Sequence, residues 1–313
     1  MRVALLLRWY RKYKRDLPWR KDQDPYRVMV SEFMLVQTTV ATVVKRYEEF
    51  LRGFPSVEAL AAAPLWKVKN AWTGLGYNSR AENLWKAANQ IVSRGGFPRT
   101  PGEFKGLAGF GPYLSAAVAS IAFEVKAPVY DVNVARVLLR LFGSSEMGIL
   151  EQIFAENRFK PSELNQALME LGALACKARE PACEACPVRG TCLTRGVHPS
   201  ERKPVKSRAL ELVIHLRRDS MGRVLLVRRG ADEVFLKDCW GLPMEIVKTC
   251  PGRRVPQAFR HAITKWRIHA HVRSERPGIP APIGAREARW FKADKLKRHL
   301  FSSLWWKALE TKS

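Results

Sequence analysis

The chain has no run of 18 or more uninterrupted apolar residues, so hydropathy offers no membrane-crossing helix. Met1 to Arg8 is too short for a signal peptide's apolar core and cleavage site, so the expectation is a cytoplasmic protein without a membrane partner. No internal repeat and no low-complexity tract is visible, which excludes a repeat architecture. Acids are scarce: 29 Asp and Glu stand against 54 Lys and Arg, a formal charge of +25. That excess is larger than solubility requires and points to a polyanionic partner, nucleic acid ahead of a membrane surface.

What is present suffices for real cores. At 313 residues and 47% hydrophobic composition, two domains are expected. Residues 1–16 read as a basic amphipathic helix, which Leu17-Pro18-Trp19-Arg20 breaks. Asp24 as N-cap and Pro25 at the first helical position start another, with Val28, Met29, Phe33, Leu35 and Val36 at helical spacing. Further helices fit residues 56–63, 65–72, 81–93, 114–123 and 165–175, so the first 195 residues read as all-α. From His198 a basic, proline-bearing stretch without apolar periodicity reads as a linker. Beyond it, apolar runs at 210–216 and 224–227 flank Asp219-Ser220-Met221-Gly222 and predict a β-hairpin, with short strands and one terminal helix after it.

Six cysteines are few, yet four of them, Cys176, Cys183, Cys186 and Cys192, crowd into one loop with the spacing C-x6-C-x2-C-x5-C. Disulfides are disfavoured in the cytosol, which leaves a metal site, and four thiolates suit either zinc or an iron-sulfur cluster. Pro181, Pro187 and Gly190 break helical structure between the ligands, so the loop depends on its metal for shape. Lys177, Arg179, Arg189 and Arg195 surround it and could set cations against phosphates, or serve only as the solvated rim of a structural metal.

The stretch from Leu107 to Arg140 holds a glycine turn, two helices and one carboxylate. Gly109 and Gly111 suit a tight interhelical turn that visits positive φ. Asp131 precedes Val132, Val134, Val137, Leu138 and Leu141, so it reads as the N-cap of an amphipathic helix, where backbone donors and the helix dipole favour its anion. Glu32 has the opposite setting: Val28, Met29, Leu35 and Val36 would desolvate it, raise its pKa and keep a proton on it.

Together these pieces resemble the helix-hairpin-helix DNA glycosylases of the endonuclease III-like superfamily, most closely the adenine glycosylases of the MutY type. The motifs at Leu17–Arg20, Ser31–Thr38, Trp72–Tyr77, Gly109, Asp131–Val134 and Asn165–Met169, with the cysteine spacing, occur in the family's order over nearly the whole chain. The resemblance implies α + α/β architecture: an all-α helix-hairpin-helix region over residues 1–196 with a 4Fe-4S loop at 176–192, a basic linker at 197–208, and a small Nudix-like α/β domain at 209–313 that reads the lesion. It implies a monomer associated with the nucleoid, of bacterial or archaeal type. The partner it implies is double-stranded DNA containing mismatched or oxidised base pairs.

It also assigns roles. Breaking an N-glycosidic bond calls for a proton on the leaving base and negative charge beside the sugar cation, and two carboxylates of different character suit that. Glu32 becomes the general acid, Asp131 the carboxylate that stabilises the oxocarbenium, and Asn133 its support. Tyr113 stands where the strand-cleaving relatives carry lysine, and a phenol forms no Schiff base, so base excision without efficient strand cleavage is expected. Gly109 and Gly111 become a phosphate grip, Gln37 and Tyr77 fill the space left by a flipped base, and Arg15, Trp19, Arg20, Leu35 and Glu170 line the base pocket. Taken alone, Trp19 and Leu35 could be core, Arg20 and Glu170 surface charges, and Tyr77 an ordinary half-buried aromatic.

Several positions depart from the family pattern: Val36, Asn78, Val132, and Ile263-Thr264-Lys265 in place of Phe-Ser-His, where only Thr264 keeps a hydroxyl donor toward the DNA. Trp240–Pro243, Phe259–His261 and Ala288–Phe291 resemble segments of the second domain, but no glutamate run follows Gly241, so diphosphate hydrolysis is not expected. Two other readings stay open at this point, a thymine or uracil glycosylase for G mismatches and a non-catalytic iron-sulfur DNA-binding protein.

Overall fold

The computed structural model describes residues 2–156, 158–195, 208–230, 232–237, 239–247, 258–263, 266–275 and 287–311. The expected linker, apart from Arg208, together with Cys250, Thr264 and Lys265, lies outside the described residues. The chain divides into two compact units, one of residues 1–63 and 79–201, the other of residues 64–78 and 202–313.

The first unit is helical throughout its described residues. In chain order the helices up to residue 174 are α1 (Val3–Tyr13), α2 (Pro25–Leu35), α3 (Val40–Gly53), α4 (Val57–Ala62), α5 (Leu65–Ala71), α6 (Asn78–Ser93), α7 (Pro101–Phe104), α8 (Pro112–Phe123), α9 (Val132–Phe142), α10 (Met147–Glu156) and α11 (Pro161–Leu174). Of these, α5 groups with the second unit. The start signals act as their chemistry dictates: the Asp24 side chain accepts from Arg27 N at 2.8 Å, and Thr100 and Glu103 close a capping box at α7. Helix α3 falls in a stretch not expected to be helical. Its signal is Thr39 as cap, with Val43, Tyr47 and Phe50 recurring on one buried face.

Leu6, Leu7, Val137, Leu138, Leu168 and Leu171 are buried together where α1, α9 and α11 meet. Each such side chain contributes roughly 1.5–3 kcal/mol when fully buried. Helices α2 and α8 pack on each other. The Phe33 ring meets Phe110 edge-on at 5.3 Å, and Phe110 stacks on Phe104 at 5.1 Å. Asn165, wholly buried, accepts from Val129 N at 2.8 Å and donates to Ser120 Oγ and the Ala127 carbonyl, fixing the strand-like approach to Asp131.

In the second unit, β1 (Arg208–Arg217), β2 (Val224–Arg228), β3 (Trp240–Gly241), β4 (Met244–Val247), β5 (Ala258–Ile263), β6 (Trp266–Glu275) and β7 (Glu287–Phe291) precede α12 (Ser303–Glu310). They form two sheets, ordered β4-β1-β6-β5 and β3-β2-β7. Leu212, Ile214 and Leu216 alternate inward from β1 and share a core with Ile268, Leu304 and Trp305. Gly241 is forced by that core, since a Cβ there would lie 2.6 Å from the Trp305 ring.

The expected β1–β2 hairpin is corrected by this topology. The turn forms, with Arg223 N donating to Asp219 Oδ1 at 2.8 Å and Gly222 at φ +71°. After one isolated bridge, Arg218 to Val224, the strands part: β1 pairs in parallel with β6, and β2 joins the other sheet between β3 and β7. Turn chemistry is local, whereas the partner of a buried strand is chosen by non-local packing, which here wins. Among the described residues no helix is long and apolar enough to cross a membrane.

Candidate active site

A cavity of about 230 Å³ opens in the first unit, and its walls come from α2, α8, α11, the approach to α9 and the segment after α1. Glu32, Tyr113, Asp131, Asn133 and the five expected pocket residues, Arg15, Trp19, Arg20, Leu35 and Glu170, all line it. Arg15 and Glu170, 155 positions apart in sequence, are brought together there.

Glu32 is 4% exposed. Burial pushes its carboxyl up to about 7, with Asp131 adding to the rise, while the Tyr113 hydrogen bond and the Arg20 charge hold it back. The Tyr113 hydroxyl donates to Glu32 Oε2 at 2.8 Å. Burial and the adjacent Glu32 push the phenol's own pKa well above its ordinary value, so it remains a donor. The sequence marks Tyr113 only by what it cannot do. The structure adds what it does, which is to fix one oxygen of the acid and leave the other to the cavity.

Asp131 caps α9 as its position predicts. Its Oδ1 accepts from Asn133 N at 2.9 Å and Val134 N at 2.7 Å, and its Oδ2 accepts from Asn133 Nδ2 at 2.8 Å. Three donors thus converge on one carboxylate, an arrangement that supports negative charge. Asn133 packs on Gly172, where a Cβ would lie 2.7 Å from the Asn133 Cβ. Val132 is 57% exposed and turns away from the core of this helix.

Glu170 is 1% exposed, so it is not a surface charge. Burial alone would raise its pKa, but hydrogen bonds from Arg15 and Arg20 dominate and bring it down to about 2. Arg15 clamps both carboxylate oxygens at 2.8 and 2.7 Å, and Arg20 Nη2 donates at 2.9 Å. Trp19 sits edge-on to Tyr47 at 5.5 Å and forms part of the wall. Gln166 and Met169, from the Asn165–Met169 motif, and Ala173 also face the cavity, a role the sequence reading does not give them. Their signal is helical spacing with Glu170 along α11, opposite the buried Leu164, Leu168 and Leu171.

Of the expected DNA-contacting residues, Gln37 is exposed at φ +57° and Tyr77 is 47% exposed at φ +45°. A left-handed backbone at a residue other than glycine costs on the order of 1–3 kcal/mol and collects at functional positions. Gly109 has φ +78°, and a Cβ there would meet Asn83 Cβ at 2.6 Å. Gly111 corrects the expectation of two positive-φ glycines: its φ is −89° with extended ψ, and it caps α8 with open space before it.

Among the described residues Cys176, Cys183, Cys186 and Cys192 form no disulfide; they are half-buried and line one further cavity with Leu141, Leu171 and Val188. Burial and the neighbouring sulfurs push the Cys183 and Cys186 thiols up, a cost that a cation at the centre would remove. The sulfurs are spread wider than one ion needs. Around a single tetrahedral zinc they would lie about 3.8 Å apart, given Zn–S bonds of about 2.3 Å. Among the described residues, only Glu211, His269 and His271 bring three ligand atoms within 4.8 Å of one another. Helix α9 holds the loop: Arg140 donates to the Lys177 carbonyl at 2.7 Å and to Cys176 Sγ at 3.4 Å. Arg136 bonds Asn133 Oδ1, the Gly172 carbonyl and the Cys176 carbonyl at 2.9, 2.7 and 2.8 Å.

Comparison with known proteins fits this geometry. The model of the HhH-GPD superfamily of base excision DNA repair proteins matches residues 30–170. An adenine DNA glycosylase of Mycobacterium tuberculosis is 36% identical over 242 residues, which cover 72% of this chain and 78% of that protein. The adenine DNA glycosylase of Homo sapiens is 41% identical over 212 residues, covering 61% of this chain and 38% of that protein. Among solved structures, a thermostable thymine-DNA glycosylase superposes with a TM-score of 0.57 at 30% identity, covering 62% of this chain and 94% of that one. The chain therefore belongs to the helix-hairpin-helix superfamily of base excision DNA repair proteins and, within it, to the MutY-type adenine DNA glycosylase family. Its match spans about two fifths of the length of the human, rat and mouse relatives.

Proposed function

We propose that this protein is a monofunctional DNA glycosylase that flips adenine out of a mispair with 8-oxoguanine or guanine and excises it. The observation that carries the reading is a buried glutamic acid with a pKa near 7 sharing a cavity with a donor-clad aspartate. Glu32 is then about half protonated at neutral pH, which is what a general acid requires. With Tyr113 holding Oε2, the proton sits on Oε1 and passes to the purine as the glycosidic bond breaks. Asp131, fixed by Asn133 and Val134, faces the sugar as it becomes cationic. Glu170, kept anionic by Arg15 and Arg20, fixes those two guanidiniums in the wall of the base pocket. Gln37 and Tyr77 are read as the residues that occupy the gap in the duplex, and Gly109 with Gly111 as the phosphate grip.

The four cysteines are read as ligands of a 4Fe-4S cluster. Their soft donor set and their wide separation support a cluster over zinc. When bound, that group supplies a rigid clip for a loop that Arg136 and Arg140 also hold. Residues 1–196 are read as the glycosylase region, residues 197–208 as a linker, and residues 209–313 as a Nudix-like domain that senses the opposite base, with Thr264 as one DNA contact. The protein is read as a cytoplasmic monomer that acts on duplex DNA.

Likeness to a thymine-DNA glycosylase favours a second reading, excision of T or U opposite G. A panel of duplexes with A:8-oxoguanine, A:G, T:G and U:G, incubated with protein and then cleaved with alkali, separates the two. Cuts at adenine are expected. Cuts confined to T:G and U:G would replace the first reading with the second.

A further inference from the structure

We propose that Glu211, His269 and His271 form a site for a divalent transition-metal ion of the zinc class on the four-stranded sheet of the second unit. His269 and His271 are two apart on β6, so both rings rise from the same face. They pack with centroids 4.7 Å apart. On the neighbouring parallel strand β1, Glu211 stands in register with His269. One Glu211 oxygen lies 3.0 Å from His271 Nε2 and 3.3 Å from His269 Nδ1. All three ligand atoms fall within 4.8 Å of one another. Around a tetrahedral ion with bonds of about 2.0–2.1 Å, ligand atoms lie roughly 3.4 Å apart, so small rotations of the rings suffice to admit one.

The donor set chooses the ion. Two imidazoles and one carboxylate suit zinc, copper or another late divalent ion over magnesium or calcium, and three protein ligands leave a position for water. His271 is buried, while Glu211 and His269 reach solvent, which gives the ion a route in. Two features weaken the site. His271 Nδ1, which must carry the ring proton once Nε2 binds metal, has no hydrogen-bond partner among the described residues. Arg260 stands opposite His269 in register and adds positive charge. An unsatisfied buried donor costs roughly ten- to hundredfold in affinity. The resulting ion is a weakly held staple across β1 and β6, exchanging with the medium, and it is independent of the cysteine loop and of base excision.

Tag-free full-length protein with its cysteine site loaded with iron, equilibrated by dialysis against zinc chloride, should take up one zinc per chain. X-ray absorption at the zinc edge should show nitrogen and oxygen neighbours at about 2.0–2.1 Å with imidazole scattering. His269→Gln with His271→Gln should lose that equivalent, and Glu211→Gln should weaken it at least tenfold. Sulfur neighbours at about 2.3 Å would place the zinc on the cysteines and overturn the proposal. So would no uptake by the native chain together with lower thermal stability of Glu211→Gln, which would make the trio an ion pair only. The absorption spectrum of the native chain decides the matter even where a variant does not fold.

Discussion

Two buried glutamates line one cavity and are driven in opposite directions. Glu32, on the α2 wall, has its pKa raised to about 7, and Glu170, on the α11 wall, has its pKa lowered to about 2. Both are withdrawn from water, so burial does not separate them. Partners do: one neutral phenol stands beside Glu32, and two guanidiniums stand beside Glu170. The first wall keeps a mobile proton and the second keeps a fixed charge, a division of labour suited to chemistry on one side and recognition on the other.

The strongest way to break this comparison is to remove the proton. Glu32→Gln should slow single-turnover adenine release by roughly a hundred- to ten-thousandfold while mismatched duplex still binds; a smaller loss would move the acid elsewhere. Asp131→Asn should follow, with a fall of roughly a hundred- to thousandfold. Its thermal midpoint should scarcely change, because asparagine also caps helices well.

Stability against pH sharpens the contrast. A carboxyl with a raised folded pKa stabilises below its unfolded value, and that contribution is lost as pH rises through about 7. Relative to Glu32→Gln, the native chain should therefore lose about 3 kcal/mol between roughly pH 4.5 and a pH just above 7. Glu170 works in the other window: its contribution is present above about 4.5 and lost as pH falls toward 2. Glu170→Gln at neutral pH should cost about 2–3 kcal/mol in denaturant melts, below the range for a fully buried pair because Arg15 is one third exposed. Smallest is Tyr113→Phe. Loss of the phenol's hydrogen bond should move the upper limb of the pH–rate profile to higher pH, since that bond holds the Glu32 pKa down. A downward move would reverse the role given to Tyr113.

Much of this site is legible in the chain because its signals are local. Asp131 announces itself by the apolar spacing that follows it, and the setting of Glu32 follows from its neighbours one turn away. The state of Glu170 is not legible, because the arginines that set it lie some 150 positions away. Gln166, Met169 and Ala173 carry a readable helical spacing, but which face of α11 meets a cavity depends on where the other helices pack. The same limit governs β1 and β2, whose turn residues specify a reversal and not the sheet each strand joins. At Gly111, composition suggested a conformational need that the backbone does not have.

Arg136 has a consequence for how defects in such a protein would be read. Its guanidinium ties the carbonyl of the first cysteine to the asparagine that props the Asp131 carboxylate. If the loop holds the proposed cluster, a single change there would reach a bench as two symptoms, poor iron content in the purified protein and slow turnover in what remains. Neither symptom would point to α9, and restoring iron would not restore the rate.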